Sequence, residues 1–194
     1  MNTMKKPSLI ALALAFLLLS CSEKKVLVMA SGKITVEGNI ISAEEGTTHS
    51  EQECILKEAG IVVKTNSGSS DILVNESGLY ILNIKKDTLV GSYQRLGTDN
   101  SLKRLSQEDL QHSIDSLESL MKGLNVTAAN RNFCIPPGKL SFITENTKAQ
   151  VVGPYLKMPG SFEGGREYEI YKFYTNKEVR EIIDRKSTRL NSSH

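Results

Sequence analysis

Val74-Asn75-Glu76-Ser77-Gly78-Leu79-Tyr80-Ile81-Leu82-Asn83-Ile84 reads as the end of one strand, a turn and a second strand. Asp71-Ile72-Leu73-Val74 is the first strand, and Leu79 to Ile84 is the second. Asn75 to Gly78 supplies the polar and glycine residues that mark a turn. Thr88-Leu89-Val90-Gly91-Ser92-Tyr93 is a third short apolar run. Several short strands at close spacing predict a small antiparallel β-sandwich.

Working upstream, Ile61 to Lys64 is a strand, and Asn66 to Ser70 is a loop. Lys33-Ile34-Thr35-Val36-Glu37 alternates apolar and polar, as a half-buried strand does. Asn39 to Ser42 resumes after Gly38, and Glu44-Glu45-Gly46 turns. Ser50-Glu51-Gln52-Glu53 has the Ser-x-x-Glu form of a capping box, with Gly60 as a stop, so Glu51 to Ala59 is expected as a short helix. Residues 21–32 read as a tether. The run from Val74 to Ile84, followed by Asp87 to Tyr93, is similar to the carboxypeptidase-regulatory-like domain, a transthyretin-like β-sandwich of bacterial envelope proteins. Asn75 stands where that family carries aspartate. The resemblance spans residues 33–97 and implies an accessory module with no catalytic residue of its own.

Downstream, residues 98–125 hold a connecting amphipathic helix. Ser106 caps it, Glu108 and Asp109 suit its positive N-terminus, and Leu105 and Leu110 occupy the staple positions. Leu110, Ile114, Leu117, Met121 and Leu124 form one apolar stripe, and Gly123 or Asn125 ends the helix. His112 lies off the stripe, on the solvated side. Residues 126–183 read as an α+β module. Phe133 to Ile135 is a short strand, and Leu140 to Thr144 with Ala149 to Val152 is a hairpin. Tyr168 to Phe173 is a strand of the same antiparallel sheet. Thr175-Asn176-Lys177-Glu178 is a capping box that opens a terminal helix. The fold class expected is mainly β with α+β character.

The two ends carry separate signals. Lys5-Lys6 precedes the 11 apolar residues Leu9 to Leu19, then Ser20-Cys21. That length suits a secretory leader and falls short of the roughly 20 residues of a membrane-spanning helix. The stretch Leu18-Leu19-Ser20-Cys21 resembles the lipobox of a bacterial lipoprotein. The resemblance implies cleavage of residues 1–20, acylation of Cys21 and, with Ser22 following, an outer-membrane destination. Residues 184–194, Asp184 to His194, resemble one frame of a translated sequencing adapter, so the terminal helix is expected to be truncated. The chain has 24 Lys+Arg and 22 Asp+Glu. Leader and tail carry Lys5, Lys6, Arg185, Lys186, Arg189 and Asp184, which leaves 19 basic and 21 acidic residues over 21–183, net −2. A nucleic-acid partner is not indicated by this charge.

Cys54 and Cys134 are the remaining cysteines. In an exported protein they predict either a disulfide or two buried thiols. A bridge would close an 80-residue separation, where chain entropy gives about 4 kcal/mol. Tyr155, Tyr168 and Tyr171, around a Gly-rich loop, are either a ligand surface or ordinary strand residues. Arg166 is loop charge or an anion clamp. His49, Glu51, Glu53 and Cys54 form the one metal-like cluster, without a second nitrogen ligand at a recognised spacing. No catalytic or cofactor motif is present in the sequence, and neither metal nor cofactor is expected. The expected function is a non-enzymatic envelope lipoprotein, held to the membrane by its lipid and facing the periplasm. It would bind or scaffold another envelope protein or a glycan. The alternatives are a fragment of an envelope hydrolase whose catalytic part is missing, and a small-ligand-binding lipoprotein.

Overall fold

The computed structural model describes residues 23–94, 106–127, 129–153 and 169–192. They are mainly β: twelve strands in three four-stranded sheets, with two helices. The strands are β1 (Lys24–Ser31), β2 (Ile34–Glu37), β3 (Ile40–Ala43), β4 (His49–Leu56), β5 (Gly60–Thr65) and β6 (Gly68–Leu73). They continue as β7 (Gly78–Asn83), β8 (Leu89–Gln94), β9 (Asn132–Ile135), β10 (Lys139–Thr144), β11 (Gln150–Val152) and β12 (Ile170–Thr175). The helices are α1 (Gln107–Met121) and α2 (Asn176–Asn191).

The sheets stack in layers. The middle sheet has the order β10-β7-β1-β4. Val26, Val28, Cys54, Leu56, Tyr80 and Leu82 leave one face of it to pack on Ile41, Ile61 and Val63 of the sheet β2-β3-β5-β6. Leu27, Met29, Leu79 and Ile81 leave the other face to pack on Leu89, Ile135, Tyr171 and Phe173 of the sheet β11-β12-β8-β9. The far side of this last sheet is covered by the helices, through Val90, Leu120 and Val179. Side chains alternate across a strand, so a strand between two cores must be apolar at odd and even positions alike. Every residue of β7 is buried, as is Val26 to Ala30 of β1.

This explains the first correction. Residues 24–31 are a central strand and no tether. Val26-Leu27-Val28-Met29-Ala30 fills both cores, while the flanking lysines and serine mark only the strand's ends. A second correction concerns Glu51 to Ala59. Residues 51–56 lie in strand β4, which pairs with β1 from Lys24↔Leu56 to Ser31↔His49. A nine-residue helix is marginal by itself, and eight ladder pairs outweigh one local capping motif. Third, β10 and β11 do not form a hairpin. β10 joins β7 antiparallel, and β11 joins β12 in parallel. Each sheet is therefore mixed, with the parallel pairs β1·β7, β3·β5 and β11·β12. Nor do the expected modules 33–97 and 126–183 hold separate sheets: β10 completes the sheet of β7, and β8 lies between β12 and β9.

Both helices start where expected. Ser106 Oγ accepts the backbone N–H of Asp109 at 3.1 Å, and the Asp109 carboxylate accepts the Ser106 N–H at 3.0 Å. Thr175 and Glu178 exchange the same pair of bonds at 3.3 and 2.8 Å. Leu110, Ile114 and Leu120 are buried, with Leu117 and Met121 beside them. Leu124, expected on the stripe, follows the helix and is exposed. Gly123 has φ +70°, which suits a residue just past a helix end. α2 runs on through Asp184 to Asn191, and no side chain of residues 184–192 is buried.

Gly91 of β8 faces Phe173 of β12 in register. A Cβ there would lie 2.5 Å from the Phe173 ring. Gly91→Ala is expected to destabilise the fold by about 1–3 kcal/mol through overpacking. Denaturant unfolding of the variant checks this, and an unchanged midpoint would show that the ring is free to move.

Candidate functional site

The strands define two ends. β1 begins at Lys24 beside Gly78 of β7 and Leu56 of β4. Its other end, Ala30 and Ser31, lies beside the start of β4 and the loop after β7. At this second end the first two sheets part around a cleft of about 460 Å³. Ala30, Ala43, Val63 and Ile84 give it apolar walls, and Thr65, Ser67, Ser69, Ser70 and Asn66 give it hydroxyl and amide groups. Glu44, Glu45 and Lys86 add charge of both signs.

Local geometry holds the rim. Gly32 has φ +122°, and a Cβ on it would lie 2.2 Å from the Glu44 carbonyl oxygen, so only glycine fits this corner. The Ser50 hydroxyl donates to the Gly32 carbonyl. Thr65 and Ser67 join hydroxyls at 2.8 Å across the β5–β6 turn. Asn83, fully buried, donates its amide to the carbonyls of Ile135 at 2.8 Å and Asp87 at 2.9 Å. Its side-chain oxygen accepts the Lys85 N–H at 3.0 Å. These bonds fix the β7–β8 loop that brings Lys85 to the cleft. Burial pushes the Lys85 ammonium below the ordinary lysine range, opposed by the carboxylates of Glu178, Glu51 and Asp87.

A second cavity of about 460 Å³ opens beside β9 and β10, lined by Arg131, Phe133, Phe142, Thr144 and Tyr171 among others. A carboxylate organises its edge. Glu169 Oε1 accepts the Tyr171 hydroxyl at 2.6 Å and the Thr144 hydroxyl at 3.0 Å, with Arg131 Nη1 at 3.6 Å. The Arg131 guanidinium also lies 4.7 Å from the centre of the Tyr93 ring. Burial alone would raise the Glu169 carboxyl. The hydrogen bonds from Tyr171, Asn146 and Thr144, with the charge of Arg131, outweigh it and hold the group below the usual range. Burial, reinforced by Glu169, pushes the Tyr171 phenol up to about 12.

The residues singled out from the sequence do not converge. Cys21, Tyr155, Arg166 and Tyr168 lie outside the described residues. Tyr171 is 1% exposed and packs edge-on against Tyr93 and Phe133, a core residue that also borders the second cavity. Cys54 and Cys134 are both free thiols. Cys54 sits in the core between the first two sheets and Cys134 beside the helices, with the middle sheet between them, so of the two alternatives the structure has separate thiols. Around His49 the strand separates the cluster. Glu51 pairs with His49 at 2.7 Å, Glu53 pairs with Lys25 at 2.8 Å, and Cys54 points to the opposite face. Among the described residues no group of three or more His, Cys, Asp or Glu is placed to hold a metal ion. His112 is exposed, as expected. Glu169 was missed, although its i, i+2 spacing from Tyr171 puts both on one strand face. Arg131 and Lys85 carried no sequence signal. Among the described residues no helix is long and apolar enough to cross a membrane. The chain matches no protein-family model, no curated protein and no solved structure.

The Glu169–Tyr171 pair predicts stability limbs at both pH extremes. The lowered Glu169 pKa contributes stability above the ordinary carboxylate range, lost as pH falls through the folded value. The raised Tyr171 pKa contributes stability below the ordinary phenol range, lost as pH rises toward about 12. In Tyr171→Phe the alkaline loss should flatten, and the acid loss should move toward the ordinary carboxylate range. Urea unfolding across pH tests both, and an unaltered alkaline limb would contradict the assignment.

Proposed function

We propose that this chain is a lipid-anchored, non-enzymatic module of the bacterial envelope that binds a polar envelope component in its end cleft. Residues 1–20 are the leader, Cys21 carries the lipid, and the domain faces the periplasm from the outer membrane. One observation carries the reading: the cleft lies at the end of β1 opposite the end nearest Cys21. Eight strand residues at about 3.3 Å each put roughly 25 Å between them. A domain held at one end thus presents its cleft away from the bilayer. Hydroxyls, amides and charges of both signs over an apolar floor suit a glycan or a polar protein loop.

The resemblance of residues 33–97 to the carboxypeptidase-regulatory-like sandwich supports an accessory, binding role. In this reading β2 to β8 carry the sandwich pattern, and β1 and β10 are additions that tie it to the rest of the chain. The cavity beside Tyr171 favours a second reading, a small-ligand-binding lipoprotein whose ligand meets Arg131 and Phe142.

Two variants test the main proposal. Cys21→Ser should shift the protein from the membrane to the soluble fraction, and full retention in membranes would sink the anchor. Ser69→Trp, which fills the cleft from an exposed strand position, should lower capture of the envelope partner at least tenfold with folding intact. Equal capture would sink the cleft as the binding site.

A further inference from the structure

Four large apolar side chains are exposed among the described residues: Ile55, Leu73, Leu124 and Phe142. Three of them lie at one end of the domain. Ile55, 61% exposed, pairs with Lys25 at the start of β1. Leu73, 76% exposed, pairs with Gly60, just past the loop that leaves β4 at Leu56. Phe142, 39% exposed, lies over Gly78, which pairs with Lys24. Phe142 and Ile55 stand on the two edge strands of the middle sheet, three strand spacings or about 14 Å apart, and Leu73 stands on the neighbouring sheet about 10 Å away. Their strand positions flank the point where the chain enters β1, with Ile55 on the face of β4 opposite Cys54 and Leu73 on the outer face of β6.

That point is pinned to the domain. The Glu23 carbonyl accepts the Gly78 N–H at 2.9 Å, and its carboxylate accepts the Thr147 hydroxyl at 3.4 Å. Only Ser22 separates Glu23 from Cys21, and a fully extended chain covers at most about 7 Å over those two steps. The polar layer on each side of a bilayer's hydrocarbon core is about 5–8 Å deep. A lipid on Cys21 therefore leaves no slack, and this end must touch the headgroups.

We propose that the Ile55–Leu73–Phe142 end is a bilayer-docking surface that seats in the headgroup layer and fixes the orientation of the domain. The proposal rests on the lipid-anchor reading above. The contact is apolar rather than electrostatic. Lys25 is paired with Glu53 at 2.8 Å, and Lys24 and Lys57 share the end with Glu23, Glu58, Glu76 and Glu145, so these side chains form no basic patch. Docking is accordingly independent of anionic lipid and of salt.

The chain contains no tryptophan, so single reporters are unambiguous. Leu73→Trp is placed in the docking end, and Lys86→Trp, at a side chain 85% exposed, at the opposite end. The full lipidated protein is reconstituted into vesicles of phosphatidylethanolamine and phosphatidylglycerol. Co-sedimentation with the vesicles reads the anchor, and fluorescence reads docking. The Leu73→Trp protein should be quenched by brominated lipid and shielded from iodide several-fold better than the Lys86→Trp protein, at low and high salt alike. Sedimentation with equal iodide access at both ends would overturn docking and leave the anchor standing. Failure to sediment would overturn the anchor and docking together. Shielding that follows protein concentration and not lipid would assign the surface to a second copy of the chain and overturn the proposal.

Discussion

The parallel pair β1·β7, buried on both faces, is the constraint on which the rest of the molecule depends. Its backbone groups have no access to water, so each must find a partner within the sheet. β10 and β4 supply those partners on the two sides. Its side chains project into two cores at once, which calls for one sheet above and another below. Val26 and Val28 require β3 and β5, while Leu27 and Met29 require β8 and β12. The outer sheet then leaves a second apolar face of its own, and α1 and α2 close it with Leu120 and Val179 on Val90.

Polar groups are displaced to the ends of the strands as a consequence. Where the sheets part beyond Ala30, hydroxyls and charges line the cleft. Asn83 is one of three buried polar residues among those described, with Lys85 and Thr175: it is fully buried, and its amide spans two carbonyls and one N–H. Such a group is stable in a core only because every hydrogen bond it can lose has been replaced. It locks the β7–β8 loop to β9 and so sets the rim of the cleft. The opposite end exposes Ile55, Leu73 and Phe142 among charged side chains where the chain enters. The two ends of the same strands thus differ in chemistry, and that difference gives the domain a direction.

Features set within a few residues were legible. The helix caps at Ser106 and Thr175 formed, because a cap needs only the side chain three positions away. Strands β2, β3, β5 and β7 formed where alternation or turn residues marked them. Strand β4 was misread because Ser50-x-x-Glu53 satisfies a helix signal locally, while its eight partners lie in β1. β1 itself was passed over because lysines and a serine frame it. At the cavity, Tyr171 was noticed as an aromatic, yet burial against Phe133 and Tyr93 makes it structural. Arg131 reaches Glu169 from 38 positions away, a contact that no spacing rule encodes.

The amino-acid order by itself determined that the chain is rich in short strands and where two helices begin. These follow from side-chain period and from hydrogen bonds closed over three or four residues. The tertiary structure decided which strands are neighbours, that three mixed sheets stack, and that Cys54 and Cys134 stay apart. It also decided that a polar cleft opens at one end of β1. Pairing between strands distant in sequence is selected by how completely two faces can be buried together. That quantity belongs to the assembled layers and to no single segment.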